Sequence, residues 1–313
     1  MYEVFVDSAA NIPAVDVKKY GINVVSFVNV VNGKSMVNFN PDLSLEEERK
    51  RGKEFYDAIR AGAEIKTSLV NTGDFVDAFE PVLKEGKDII YFSLSKNISG
   101  TYNAALIASE DLAETYPERK VLLVDSLNAS LAQGIMAIYA TMMRDKGVSV
   151  EEVARVLNDA VIKMNGVFTV GDLKYLAKTG RISSATALAG NVLNVKPILR
   201  GNKEGYIVQF RKCRGRKKSL DTLVDLVCDN IVEPEKQIIG IAHADAYEES
   251  LYVIDKIKER VQVKDVINTS YDYCTGTHVG PDTIALFFIA NDRELEGRPS
   301  QSDYVEPEVL KMI

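Results

Sequence analysis

Short apolar runs alternate along this chain with longer stretches in which apolar residues return every three or four positions, the pattern of strands and amphipathic helices in layers. Glu3 to Val6 predicts a first strand that stops at Asp7-Ser8. Asn23 to Val31 alternates as a second strand and runs into Asn32-Gly33, a two-residue hairpin signal. Ser44-Leu45-Glu46-Glu47 is a capping box that predicts a helix to about Arg60. A helix from near Asp74 to Gly86, a strand from Asp88 to Leu94 and a helix from Thr101 to Glu114 follow. Val121 to Val124 predicts a strand, and helices are expected from near Ser130 and from Ser149, the latter with Val153, Val156, Leu157, Ala160 and Val161 on one face.

A second set begins after that helix. Val167 to Val170 predicts a strand, and Asp172 to Ala177 and Ala185 to Val192 predict short helices. Val195 to Leu199 and Tyr206 to Phe210 flank Gly201 and Gly205 as a hairpin. The stripe Leu220, Leu223, Val224, Val227 and Ile231 predicts a helix, followed by strand (238–242), helix (248–260) and strand (263–267). Ile284 to Ala290 is apolar on both faces, as a central strand would be. The expected fold class is α/β with two domains: residues 1–162 around a doubly wound, mostly parallel sheet, and residues 163–291 around a mixed sheet. Residues 292–313 are polar, carry Pro299 and Pro307, and are expected to form a surface extension.

Composition narrows the class. The 313 residues are 46% hydrophobic and 27% charged, the balance of a globular protein. A net charge of −7 argues against wholesale nucleic-acid binding. Three cysteines without CxxC spacing imply a reducing compartment and no structural zinc. The longest apolar run is Ile284 to Ala290, far short of the roughly 20 residues of a membrane span. Met1-Tyr2-Glu3 leads straight into a strand pattern, so the expectation is a cytoplasmic protein without integral membrane association. No phosphate loop, dinucleotide fingerprint, HExxH or GxSxG motif occurs, and the only histidines are His243 and His278. The residues point to a binder of a small molecule more than to a self-contained catalyst.

Four loops at strand ends are rich in small polar residues: Asp7-Ser8-Ala9-Ala10-Asn11, Lys66-Thr67-Ser68, Ser93 to Thr101, and Asp125-Ser126-Leu127-Asn128-Ala129-Ser130. Ligands of open parallel sheets bind at the carboxyl ends of strands, where hydroxyls and helix N–H groups can hold an anion. The same residues are also ordinary caps and turn formers. Both readings stay open for these loops. His278, in Gly276-Thr277-His278-Val279-Gly280-Pro281, is expected in a tight loop, either donating to an anion or facing water. His243 is read as structural. Arg211 to Lys218 holds six basic residues in eight, either an anion or partner contact or a solvated run before a helix. Arg181 is a further anion contact or a helix-end arginine.

Taken in order, the segments resemble the DegV family of fatty-acid-binding proteins. They are Asp7-Ser8-Ala9-Ala10-Asn11-Ile12-Pro13, Thr67-Ser68 with Gly73-Asp74-Phe75, Ser99-Gly100-Thr101-Tyr102, and Val124-Asp125-Ser126 with Ala129-Ser130 and Gln133-Gly134. The second half adds Leu173 to Leu176 with Gly180-Arg181-Ile182-Ser183, Leu193 to Leu199, Arg214-Gly215-Arg216-Lys217-Lys218 and Gly276 to Pro281. The resemblance implies a long-chain fatty acid between the two domains, with no cofactor or metal. It implies that Thr67, Ser99 and His278 hold the carboxylate, with Ser68, Gly100, Thr101 and Thr277 beside them in the same motifs. Asp7, Ser8, Asp125 and Ser126 would support these loops, and Arg181, Arg214 and Arg216 would meet phosphate or partner. It also implies presentation of the fatty acid to a separate ATP-dependent bacterial kinase that forms the acyl phosphate. The acyl chain would lie in the second domain, for which Phe168, Val170, Leu188, Val192, Ile198, Leu286 and Phe288 are the candidate lining. The sequence departs from the family at Leu69 to Thr72, in the polar and bulky stretch Tyr271 to Thr275, and in the tail from Asp292. The alternatives are an enzyme acting on a small acyl or phosphorylated metabolite with His278 as acid or base, and an interaction protein that docks through the basic segment.

Overall fold

The computed structural model describes residues 1–183, 194–295 and 304–313. Two α/β lobes are built on two sheets, and a third, small sheet lies beside them. In the first lobe, β1 (Tyr2–Asp7), β2 (Ile22–Val25), β6 (Asp88–Ser93) and β7 (Val121–Asp125) form a parallel sheet in the order β2–β1–β6–β7. Alternate residues of these strands enter different cores. Val4, Val6, Ile90 and Phe92 share a core with the helices Leu131–Asp145 and Val150–Val161. Phe5, Ile89 and Tyr91 share one with the helices Thr72–Lys84 and Thr101–Thr115. The sheet is thus covered on both faces, as its apolar strands require.

The second sheet is mixed, in the order β10–β9–β8–β13–β11–β12, from β8 (Met164–Thr169), β9 (Val195–Gly201), β10 (Ile207–Arg214), β11 (Ile238–His243), β12 (Asp265–Ser270) and β13 (Ile284–Ile289). β13 is interior, as its two-faced apolarity requires. One face packs on the helices Arg216–Asn230 and Tyr247–Lys258. The other face meets the helix Leu131–Asp145 of the first lobe. Gly240 of β11 permits this approach, since a Cβ there would stand 2.8 Å from Leu131 Cβ.

The capping box at Ser44 starts the helix Leu45–Arg60. Three expectations need correction. The alternating stretch Asn23 to Val31 is not one strand. It breaks at Ser26-Phe27 into β2 and β3 (Val28–Val31), which pairs with β4 (Lys34–Val37) and β5 (Ile65–Thr67) in a separate antiparallel sheet. Serine hydroxyls hold the break: Phe27 N–H donates to Ser8 Oγ at 3.0 Å, and Phe39 N–H to Ser26 Oγ at 3.0 Å. The hairpin strand expected over Tyr206 to Phe210 does not stop there: β10 runs on to Arg214, and the basic run then opens the helix Arg216–Asn230. Arg211 to Arg214 lie on the edge strand β10, where charge discourages pairing with another sheet.

The described parts of the segment from Asp292, residues 292–295 and 304–313, do not form the expected surface extension. The helix Glu308–Met312 buries Val309 and Leu310 in the core shared with the helix Val150–Val161, and Arg155 bonds Glu308 at 2.7 and 3.2 Å. Arg293 is buried, and its guanidinium donates to the carbonyls of Ser126, Leu127, Val161 and Asn202 at 2.7–3.1 Å. Burial draws its pKa down to about 10. One side chain thereby ties both lobes together at the loop that follows β7. The expected urea midpoint of Arg293→Met is lower, by about 2–4 kcal/mol of stability, because four carbonyls, two of them in fully buried bonds, lose this donor; an unchanged midpoint would show that the four bonds carry no net stability.

Candidate functional site

Between the lobes lies a cavity of about 210 Å³. A single water needs roughly 10–15 Å³ of such space, so this is room for a sizeable molecule. Three of the four polar loops reach it. Thr67 and Ser68 end β5, Ile98, Ser99 and Gly100 lead into the helix Thr101–Thr115, and Leu127 to Ser130 lead into the helix Leu131–Asp145. The second lobe contributes Gly166 and Phe168 from β8, Gly201, Gly205 and Ile207 from the β9–β10 hairpin, and Phe287 from β13. Phe27, Leu94, Leu176 and Val279 add apolar wall.

His278 belongs to a helix, Tyr273–Val279, and not to the tight loop expected from its flanking glycines. Asp272 caps that helix by accepting from Thr275 N–H at 2.8 Å, a signal legible in the sequence. Gly276 lets the helix press against Tyr56, whose hydroxyl oxygen would lie 2.3 Å from an added Cβ. The helix delivers His278 Nε2 to 3.4 Å from Thr67 Oγ1. His278 Nδ1 is buried without a partner among the described residues. Burial, and then the nearby Arg181 guanidinium, pull the imidazole down to about 4. Arg181 lines the same cavity, donates to Thr179 O, and is itself lowered by burial.

Thr67, Ser68, Ser99, Gly100, Arg181 and His278 therefore meet in one cavity. Ser99 Oγ accepts from Thr101 N–H at 3.2 Å and pairs with Thr101 Oγ1 at 2.9 Å, so Thr101 stands behind it. Ser68 Oγ donates to Val28 O at 3.0 Å. Thr277 Oγ1 donates along its own helix to Tyr273 O at 2.6 Å and does not line the cavity. Asp7, Ser8, Asp125 and Ser126 also stay out of it. Asp7 is fully buried, accepts from Tyr91 Oη at 2.7 Å and from Ala9 N–H at 3.0 Å, and burial pushes its carboxyl up to about 6. Asp125 and Ser126 accept from Leu127 and Asn128 N–H, which shapes the loop. His243 is buried at the end of β11, and its imidazole is also lowered to about 4 by burial.

Arg214 and Arg216 lie away from the cavity. Arg214 is exposed on β10, and Arg216 grips Glu249 with Nε at 2.9 and 3.1 Å from the two carboxylate oxygens. Of the candidate tail residues, Phe168 lines the cavity. Ile198, Leu286 and Phe288 lie on the opposite face of the sheet with the helix Arg216–Asn230, because strand residues alternate and Phe287 is the one turned to the cavity. Val170 is buried in the core without lining the cavity, and Leu188 and Val192 lie outside the described residues. Sequence reasoning missed Phe27, Ile207, Phe287, Tyr271 and Cys274 as lining residues. Gly166, Gly201 and Gly205 mark where a Cβ would meet Asn128, Arg293 and Ser95, so they allow the close approach of the loops that border the cavity.

Fold and cavity together define a two-lobed α/β protein with a mostly apolar interlobe cavity that carries a few polar side chains, Thr67 and His278 among them side by side. The model of the family described as "uncharacterised protein, DegV family" matches residues 1–291. A DegV domain-containing protein of Clostridium perfringens is 37% identical over 94% of this chain and 99% of its own length. Among solved structures, a DegV lipid binding protein of Thermotoga maritima superposes with a TM-score of 0.79 at 28% identity, over 94% of this chain and 100% of the other. A second Thermotoga maritima protein, reported to reveal a fatty acid binding function, gives 0.77 at 28% identity over 92% and 99%. The chain belongs to the DegV family.

The depressed imidazole has a sign. Below pH 6.5 the unfolded chain protonates position 278, while the folded chain does not until about pH 4. His278 therefore costs stability progressively as pH falls through that window. Relative to His278→Gln, the wild type should lose up to about 1.4 kcal/mol per pH unit between pH 6.5 and 4 in denaturant unfolding. Parallel curves for the two proteins would contradict a neutral, buried His278.

Proposed function

We propose that this protein binds one long-chain fatty acid, with the hydrocarbon in the interlobe cavity and the carboxylate at Thr67, Ser99 and His278, and presents it to a separate ATP-dependent kinase that forms the acyl phosphate. The observation that carries the reading is the cavity itself: mostly apolar walls, with the hydroxyls of Thr67 and Ser99, the His278 imidazole and Arg181 among its lining. Burying hydrocarbon yields about 0.8 kcal/mol per CH₂, so a sixteen-carbon chain gains roughly 10 kcal/mol before the losses of binding. A hydroxyl hydrogen bond contributes about 1 kcal/mol net, more to a charged acceptor. The tail sets affinity and the polar side chains set orientation. The likeness to lipid- and fatty-acid-binding relatives supports the ligand class. Among the described residues no helix is long and apolar enough to cross a membrane, and the three cysteines form no disulfide, which suits a cytoplasmic carrier.

A kinase supplied in trans suits a chain without a phosphate loop. Arg181 in the cavity lining would meet the new phosphoryl group, and the exposed Arg214 is the better partner contact, since Arg216 is engaged with Glu249. The acid–base alternative is weakened by an imidazole whose pKa is drawn down to about 4, far from the operating pH of a general base.

Mass spectrometry of freshly purified protein should find one fatty acid per chain under native conditions and the free acid after denaturation. Ser99→Ala should keep most of that lipid while slowing phosphorylation of the bound acid by a cognate kinase about tenfold or more. Protein that purifies and stays without lipid in the presence of added fatty acid would refute the reading. A variant that empties while remaining folded would refute the division of labour between tail and polar side chains.

A further inference from the structure

β3 is the middle strand of the small sheet, and its Asn29 stands directly opposite Thr67 of β5. Directly opposed residues on antiparallel strands send their side chains to the same face, with Cβ atoms about 4.5–5.5 Å apart. Asn29 is completely buried, and among the described residues neither its Nδ2 nor its Oδ1 has a hydrogen-bond partner. Folded proteins pair nearly all such groups, so a buried amide with both ends unmatched beside a ligand-facing hydroxyl needs an account. An apolar strand-former such as valine would fill a buried mid-strand position without that penalty.

Thr67 supplies the account. A threonine hydroxyl has one hydrogen and two lone pairs. His278 Nε2 stands 3.4 Å from Thr67 Oγ1, and in its Nε2–H tautomer the imidazole donates to one of these lone pairs. An Nδ2–H from Asn29 on the second would leave the hydroxyl hydrogen with nowhere to go but the cavity. We propose that Asn29 is a positioning residue for the head group: its amide donates to Thr67 Oγ1 once the ligand is seated, turns Thr67 into an obligate donor, and so selects an anionic carboxylate over a hydroxyl of the same chain length. The proposal rests on the fatty-acid reading given above. The amide reaches Thr67 by a side-chain adjustment, and its present lack of partners is what leaves it free to do so.

The test uses the full chain, stripped of lipid, with tetradecanoic acid and tetradecanol competing against a fluorescent fatty acid. The wild type should prefer the acid. In Asn29→Val the acid-over-alcohol ratio should fall about five- to tenfold, the worth of one ordinary hydrogen bond to the neutral Thr67 hydroxyl, while thermal unfolding moves little or upward. Should the valine variant not fold, Asn29→Ser against Asn29→Ala gives the same contrast, since serine retains a donor and alanine none. An unchanged ratio, or an equal loss for both ligands, overturns the role of Asn29 and leaves fatty-acid binding standing. A wild type that binds no fatty acid overturns the functional reading, and this inference with it.

Discussion

Twelve of the fifteen residues of the helix Leu131–Asp145 are buried, because the helix has a sheet on each side. A helix that is apolar all round cannot lie on a surface, so both lobes must close on it. Gly240 lets the second sheet come within contact distance. The loop leading into the helix, Leu127 to Ser130, is thereby trapped between the lobes, and it forms one wall of the cavity. Arg293 then locks the carbonyls of Ser126 and Leu127 from below. Burial of one helix thus fixes where the space between the lobes falls and which backbone borders it.

The polar lining owes its chemistry to low-charge donors. Hydroxyls of Thr67 and Ser99 are contributed by the first lobe, and the imidazole of His278 by the second. The imidazole is kept neutral by burial and by Arg181, so it can donate from one nitrogen without carrying charge into an apolar space. Arg181 is only partly buried, at the rim of this arrangement. Such a lining can satisfy a carboxylate by hydrogen bonds while avoiding the full desolvation cost of a buried ion pair.

Much of the architecture is legible along the chain. Strands such as Asp88–Ser93 and the helices begun at Ser44 and Ser149 follow directly from apolar period and capping residues. What cannot be read is which sheet a strand joins. Asn23 to Val31 alternates throughout, and its break is held by the Ser8 hydroxyl, from elsewhere in the fold, on Phe27 N–H and by the stretch's own Ser26 on Phe39 N–H. β13 is apolar on both faces, so period alone gives no reason to prefer Phe287 over Leu286 and Phe288 as the residue turned to the cavity. His278 sits in a helix because Asp272 caps it, a local cue outweighed by the flanking glycines when the sequence is read by itself. The clustering of Thr67, Ser99 and His278 depends on three segments far apart in sequence, and composition carries no trace of such long-range closure.

Because the walls of the cavity are shared between lobes, any occupant touches both at once. A molecule that binds only the closed arrangement adds its binding free energy to folding by mass action. An occupant would then be mortar as well as passenger, adding to the central helix, the Arg293 clamp and the Arg60 pairs with Asp245 and Asp282 that already join the two halves.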